Sequence, residues 1–221
     1  MTERSLPPIR AVVFDMDGLM FNTELVFNAS GTELLRRRGK VPHPELFSRM
    51  MGRRAPDAFA IMTEMMDLTE PFDVLKRESE AIFYEMLDEV LAPMPGLFTL
   101  LERIEAAGIP KGVATSSSRK YLKSMLDRFE LVHRFEVTLG AEDVTHGKPH
   151  PEIYIAAAER LNVETAAMMV LEDSEAGTRA AAAAGAHIIA VPHEHCTGHD
   201  YSMATAIAHR LDDPVILDRI R

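Results

Sequence analysis

In Ala11-Val12-Val13-Phe14-Asp15-Met16-Asp17-Gly18 a short apolar run stops at two carboxylates two residues apart, followed by a glycine. From Ile9 to Phe14 the run is too continuously apolar to alternate, as expected of a strand in a parallel sheet covered on both faces. The acids then lie at the carboxyl end of that strand, where open α/β sheets bind their ligands. In an extended chain, side chains at i and i+2 point the same way. Two unit charges about 4 Å apart at an effective dielectric near 20 repel by roughly 4 kcal/mol. A hard divalent cation with a preference for oxygen, such as Mg²⁺, relieves that repulsion. The plain alternative is a solvated turn after a strand. A calcium loop is excluded, because the glycine is misplaced and a third acid is missing.

Composition narrows the function classes. The chain has 221 residues, long enough for a main domain with a smaller one. Its 24 basic and 34 acidic residues leave a formal net charge of −10. Such a surface disfavours nucleic acid and anionic membranes, so neither is expected as a partner, and a phosphate-bearing ligand has to be held by a local cluster of donors. The single cysteine, Cys196, forbids an internal disulfide and suits a reducing cytoplasm. No apolar run reaches 18 residues and no signal-peptide pattern is visible, so a cytoplasmic protein, a monomer, is expected.

After Gly18 the periodicity becomes helical. Thr23 is placed to cap a helix from Glu24 to about Arg38, with Gly39 as its stop. Helical segments follow at Pro44 to Met50, Ala55 to about Asp67 and from Pro71 to about residue 91. Met50, Met51, Met62, Met65 and Met66 read as core filling of this region, with a permissive pocket lining as the alternative. Beyond Pro93 and Pro95-Gly96, strands at 110–115, 135–139, 166–171 and 187–191 alternate with helices. Five strands in this pattern imply a doubly wound parallel sheet in an α/β fold. Residues 1–21 and 92–221 are expected to form that core, and residues 22–91 a small all-helical domain above its carboxyl edge. No internal repeat or low-complexity segment interrupts the pattern.

Three further stretches fall beside Asp15 in such a sheet. The strand through Val113-Ala114 ends in Thr115-Ser116-Ser117-Ser118, hydroxyls and amides at a helix start that suit an anion, although Thr115 also reads as a plain helix cap. Gly147-Lys148-Pro149 puts a lysine on a loop before a helix. The strand through Val170-Leu171 ends in Glu172-Asp173-Ser174, a second acidic pair. Acids for a metal, a lysine for transferring oxygens and a nest for phosphate are what phosphoryl transfer requires, with a carboxylate able to act as nucleophile.

In these four ordered motifs, Phe14-Asp15-Met16-Asp17-Gly18, Ala114-Thr115-Ser116, Lys148-Pro149 and Leu171-Glu172-Asp173-Ser174, the chain resembles the haloacid dehalogenase superfamily. The resemblance is to the branch of β-phosphoglucomutase and small sugar-phosphate phosphatases, and it covers nearly the whole chain. It implies a Rossmann-like core with a helical cap inserted after the first strand. It further implies Asp15 as nucleophile and metal ligand, and Asp17 as general acid and base lending its backbone carbonyl to the metal. Thr115, Ser116 and Lys148 would hold the phosphoryl group, and Asp173 would complete a Mg²⁺ site, with Glu172 at the metal or just behind its ligands. Asp17 points to phosphate esters over haloacids, whose hydrolytic enzymes in this superfamily lack that second aspartate.

Between hydrolysis and mutation of a sugar phosphate, the cap decides. The cap histidine of β-phosphoglucomutase falls at Phe27 in this sequence and its cap arginine at Ala55, departures that favour a phosphatase acting on a small phosphorylated metabolite of the sugar-phosphate class. A phosphohexomutase is the alternative. Arg53 and Arg54, with Ser117 and Arg119, are the candidate substrate contacts; as solvated loop charges the two neighbouring arginines would carry no role. Asn22 stands where relatives usually carry an acid. His193, His195, Cys196 and His199 suggest a metal cluster, but their place after the last strand reads as a connecting loop.

Overall fold

A computed structural model of the chain describes residues 8–50, 55–194, 196 and 198–221. The chain divides into two compact units, Met1–Phe21 with Pro93–Arg221, and Asn22–Ala92.

The larger unit is an α/β domain. Its strands are β1 (Ala11–Phe14), β2 (Lys111–Ala114), β3 (Val137–Leu139), β4 (Met168–Glu172), β5 (His187–Ala190) and β6 (Ala206–Ile207). They form one sheet in the order β3-β2-β1-β4-β5-β6, and each neighbouring pair is parallel. Strands β1, β2 and β4 are buried at every position, which explains why their sequences do not alternate. The sheet therefore has six strands and not the five expected. β6 has two residues and lies at the edge beside β5, too short for any periodicity to register.

Among the described residues the helices, in order, are α1 (Thr23–Arg36), α2 (Leu46–Met50), α3 (Ala55–Met66), α4 (Phe72–Val90), α5 (Leu97–Ala106), α6 (Arg119–Arg128), α7 (Glu152–Arg160), α8 (Glu175–Ala184) and α9 (Pro214–Leu217). In the α/β unit, Ile153, Tyr154, Ala157 and Ala158 of α7 and Ala180 and Ala181 of α8 pack on Val13, Val170 and Leu139 of the sheet. The run of alanines lets α8 approach the strands closely, and Gly185 ends it in a left-handed conformation at φ 80°. β1 has β2 on one side and β4 on the other, with Phe14 in register with both Val113 and Leu171. The carboxyl ends of three strands are thereby neighbours at the point where the winding reverses.

The smaller unit holds α1 to α4 around Leu34, Leu35, Leu46, Met62, Met66, Leu68, Leu75 and Ile82. Met62 and Met66 belong to this core and Met50 and Met65 pack against it, as core filling requires; Met51 lies outside the described residues. Arg38 bridges Glu70 at 2.7 Å and Glu78 at 2.6 Å, and also donates to the Leu34 carbonyl. Thr23 is not the cap of α1. It is the first helical residue, and Asn22 is the N-cap without a capping side-chain bond. The Asn22 amide is committed elsewhere: Nδ2 donates to the Val90 carbonyl and Oδ1 accepts from the Ala92 amide at 2.6 Å, joining the two ends of this unit.

Candidate active site

The α/β unit brings four of the sequence motifs to one place. Asp15 follows β1 directly, and its amide donates to the Leu171 carbonyl at 3.0 Å, extending the β1–β4 ladder by one bond. On the other side the Thr115 amide donates to the Leu139 carbonyl. Strand pairing thus sets Asp15, Thr115 and Glu172-Asp173 at adjacent strand ends, and the loop before α7 adds Lys148.

Lys148 is the hub. Its ammonium donates to Asp15 Oδ1 at 2.5 Å, to Glu172 Oε1 at 2.6 Å and to the Ala114 carbonyl at 2.9 Å. It also lies 5.0 Å from the centre of the Tyr154 ring. The side chains of Lys148 and Glu172 are 4% and 0% exposed. Burial alone would lower the lysine's pKa, but the charges of Asp15 and Glu172 outweigh it and hold the group well above its ordinary value. For Asp15 burial dominates and pushes the carboxyl well above its usual range; Lys148 opposes the push while Glu172, Asp173 and Asp17 add to it.

Glu172 shows how fully a buried carboxylate has to be satisfied. Besides Lys148, it accepts from the Tyr154 hydroxyl at 2.6 Å and from the Ser174 amide and hydroxyl at 3.2 and 2.9 Å. Ser174 also caps α8 through the Gly177 amide, so the carboxylate sits at a helix N-terminus whose dipole favours negative charge. Gly177 leaves that space: a Cβ there would fall on the Glu172 carboxylate.

Asp17 is held differently. Its Oδ2 accepts from the Thr115 hydroxyl at 3.2 Å and the Ser117 hydroxyl at 2.7 Å, and the Ser117 amide donates to Thr115 Oγ1. Capping of α6 falls to Ser118, whose Oγ accepts from the Tyr121 amide, which leaves Thr115 to the site. Ser116 is exposed beside them. Arg119 is engaged on the rim, its guanidinium on Asp143 at 2.8 Å and its amide on Glu142. Arg53 and Arg54 lie outside the described residues.

Asp15, Glu172 and Asp173 each offer a carboxylate oxygen, all within 4.8 Å of one another and all buried. Three buried carboxylates facing one ammonium leave an excess of negative charge, and an all-oxygen donor set fits a hard divalent cation. Gly18, at φ 80°, permits the close approach of Asp173, since a Cβ there would meet Asp173 Oδ2 and His193 Nε2.

Three contributors carry no motif of their own. Tyr154 sits in an apolar helix, and only the rule that a fully buried tyrosine needs a partner for its hydroxyl could have marked it. His193 and Cys196, read from sequence as ordinary loop, lie against Asp173: His193 Nε2 is 3.1 Å and Cys196 Sγ 3.8 Å from Oδ2. His195 lies outside the described residues.

A six-stranded parallel α/β core with a buried acid–lysine cluster at its strand ends defines the class to look for among known proteins. Residues 12–191 match the family described as haloacid dehalogenase-like hydrolase. The chain is 31% identical over 201 residues to a phosphorylated carbohydrates phosphatase of Thermotoga maritima, covering 90% of this chain and 93% of that one. It is 32% identical to a validoxylamine A 7'-phosphate phosphatase of Streptomyces hygroscopicus subsp. limoneus, with 84% and 87% covered. A solved structure of a HAD family hydrolase from Deinococcus radiodurans, with bound phosphate and sodium, superposes with a TM-score of 0.78 at 25% identity, covering 92% of each chain. The chain belongs to the haloacid dehalogenase-like hydrolases and is a phosphomonoester hydrolase. Among the described residues, no helix is long and apolar enough to cross a membrane.

Proposed function

We propose that this enzyme is a Mg²⁺-dependent phosphatase of a small phosphorylated carbohydrate, working through a phosphoryl group carried on Asp15. The observation that carries the reading is the convergence of Asp15, Lys148, Glu172 and Asp173, from three separate parts of the chain, into one buried cluster. The activity on phosphorylated carbohydrates named for the Thermotoga maritima relative supports the substrate class.

In this reading an Asp15 carboxylate oxygen attacks phosphorus and the ester oxygen departs, taking a proton from Asp17. Ser117, its hydroxyl 2.7 Å from Asp17 Oδ2, holds that side chain in place for the transfer. Asp17 then accepts a proton from water as the water attacks the phosphorylated Asp15, which returns the free carboxylate and inorganic phosphate. Lys148, fixed between Asp15 and Glu172, neutralises the equatorial oxygens, and Thr115 with the amide of Ser116 binds them. A divalent ion held by Asp15 and Asp173, with the Asp17 carbonyl and with the Glu172 carboxylate at the metal or behind it, would supply further charge neutralisation and orient the phosphoryl oxygens.

The test is Asp15→Asn in Mg²⁺ with p-nitrophenyl phosphate and a panel of sugar phosphates including β-glucose 1-phosphate, scored for free phosphate and isomerised product together. The wild type is expected to release phosphate and the variant to fall to background with its circular dichroism unchanged. Normal turnover by the variant overturns the assignment of Asp15. Glucose 6-phosphate in place of free phosphate overturns hydrolysis in favour of a mutase.

A further inference from the structure

We propose that Asp173, His193 and Cys196 form a second cation site, for a borderline-soft divalent metal such as zinc, which shares Asp173 with the hard-cation site and thereby inhibits the enzyme. One oxygen, one nitrogen and one sulfur donor lie within 4.8 Å of one another. Asp173 and Cys196 are buried, and the His193 side chain is 12% exposed.

The separations suit tetrahedral coordination. Zinc bonds of about 2.0–2.1 Å to nitrogen and oxygen and about 2.3 Å to sulfur place neighbouring donors about 3.3–3.6 Å apart around a tetrahedron. The observed 3.1 Å from His193 Nε2 to Asp173 Oδ2 and 3.8 Å from Cys196 Sγ to the same oxygen lie on either side of that value. Small movements of flexible side chains therefore suffice to admit the ion. Nearby, the Tyr201 hydroxyl donates to the Asp173 carbonyl and lies 3.3 Å from His199 Nδ1.

The chemistry separates the two sites. Asp15, Glu172 and Asp173 offer only oxygen, which suits magnesium; His193 and Cys196 offer nitrogen and sulfur, which suit zinc. On binding, the Cys196 thiol loses its proton to solvent and its sulfur bonds the ion. With Asp173 common to both, two dications compete for one carboxylate and repel each other. Each must then weaken the other's binding by the same factor. The inhibitory part rests on the reading of Asp173 as a ligand of the catalytic metal, whereas the binding part stands by itself.

The experiment titrates Co²⁺, a spectroscopic stand-in for zinc, into the metal-free protein and follows the thiolate-to-cobalt charge-transfer band, with and without Mg²⁺. Zinc inhibition of Mg²⁺-supported phosphatase activity is measured in parallel, each variant normalised to its own zinc-free rate. The group of exposed His146 and His150 with half-buried Glu152 is a rival landing place for such metals, but it holds no sulfur, so the band reports Cys196 alone. A band in the wild type, its loss in Cys196→Ser and at least about tenfold weaker zinc inhibition in that variant are expected, since losing a direct ligand costs no less than losing an outer contact. His193→Gln is expected to weaken cobalt binding by a similar factor and serves where Cys196→Ser does not fold. Absence of the band overturns the site. A band that Mg²⁺ leaves untouched, or binding without inhibition, overturns the sharing of Asp173. Neither failure touches the hydrolase reading, which fails separately if Asp15→Asn turns over normally.

Discussion

At the scale of single residues, Lys148 and Asn22 show two ways of closing a hydrogen-bond account. Lys148 stands between two buried carboxylates, so Lys148→Ala leaves Asp15 and Glu172 without their counter-charge. Removing one partner of a buried ion pair costs about 3–5 kcal/mol. The metal-free variant is expected to unfold at correspondingly lower temperature, to regain part of the loss with Mg²⁺, and to lose phosphatase activity by about 10²–10³. Thermal scans with and without the ion and initial rates check this. Asn22 both donates and accepts, to the Val90 carbonyl and from the Ala92 amide. An acid at this position can only accept once ionised, and its second oxygen would face a carbonyl. Asn22→Asp is expected to cost about 1–3 kcal/mol in chemical denaturation, recovered in part at low pH as the carboxyl becomes a donor.

At the scale of elements, the end of the sheet away from the site is fastened by charge. Glu105 of α5 accepts from Arg134 through two nitrogens at 2.8 and 2.7 Å and lies 3.1 Å from the ammonium of Lys111 in β2. Arg134's hydrogen bonds, against the opposing effect of burial and with help from Lys111, hold the Glu105 carboxyl down at about 2 from its ordinary 4.5. A depressed carboxyl stabilises the fold above its unfolded value, and the benefit drains as pH falls from 4.5 towards 2. Glu105 is 39% exposed, so solvent screens the pair, but Lys111 is 4% exposed and would lose its partner. Glu105→Gln is expected to lower stability by about 1–2 kcal/mol at neutral pH and by progressively less below pH 4.5, which denaturation at a series of pH values measures.

For the whole molecule, the concentration of acidic groups in the site is expected to make stability depend on a bound divalent metal. A divalent ion at a hundred times its dissociation constant adds about 2.7 kcal/mol. Asp173→Asn is expected to abolish most of that increment in thermal unfolding. The pH dependence follows from Asp15. Burial raises its carboxyl in the folded protein, so its contribution is full below the unfolded value near 3.8 and is lost as pH rises through the folded value. A cation favours the charged form and reverses this cost. Mg²⁺ binding is therefore expected to release a proton and to tighten as pH rises, which calorimetry in buffers of different ionisation enthalpy reads.

By itself the sequence determined the architecture and the four motifs, because continuous burial of β1, β2 and β4 writes itself as unbroken apolar runs and the acids stand where those runs end. It also implied the parallel winding that makes distant strand ends neighbours. It did not carry β6, whose two residues have no period, nor the task of Asn22, which depends on partners 68 and 70 residues away. Tyr154 and His193 joined the site only in three dimensions: one is a polar tip on an apolar helix and the other a loop histidine. What a buried hydroxyl or a loop side chain touches is set by which strands pair and where loops return, and local sequence has no term for that.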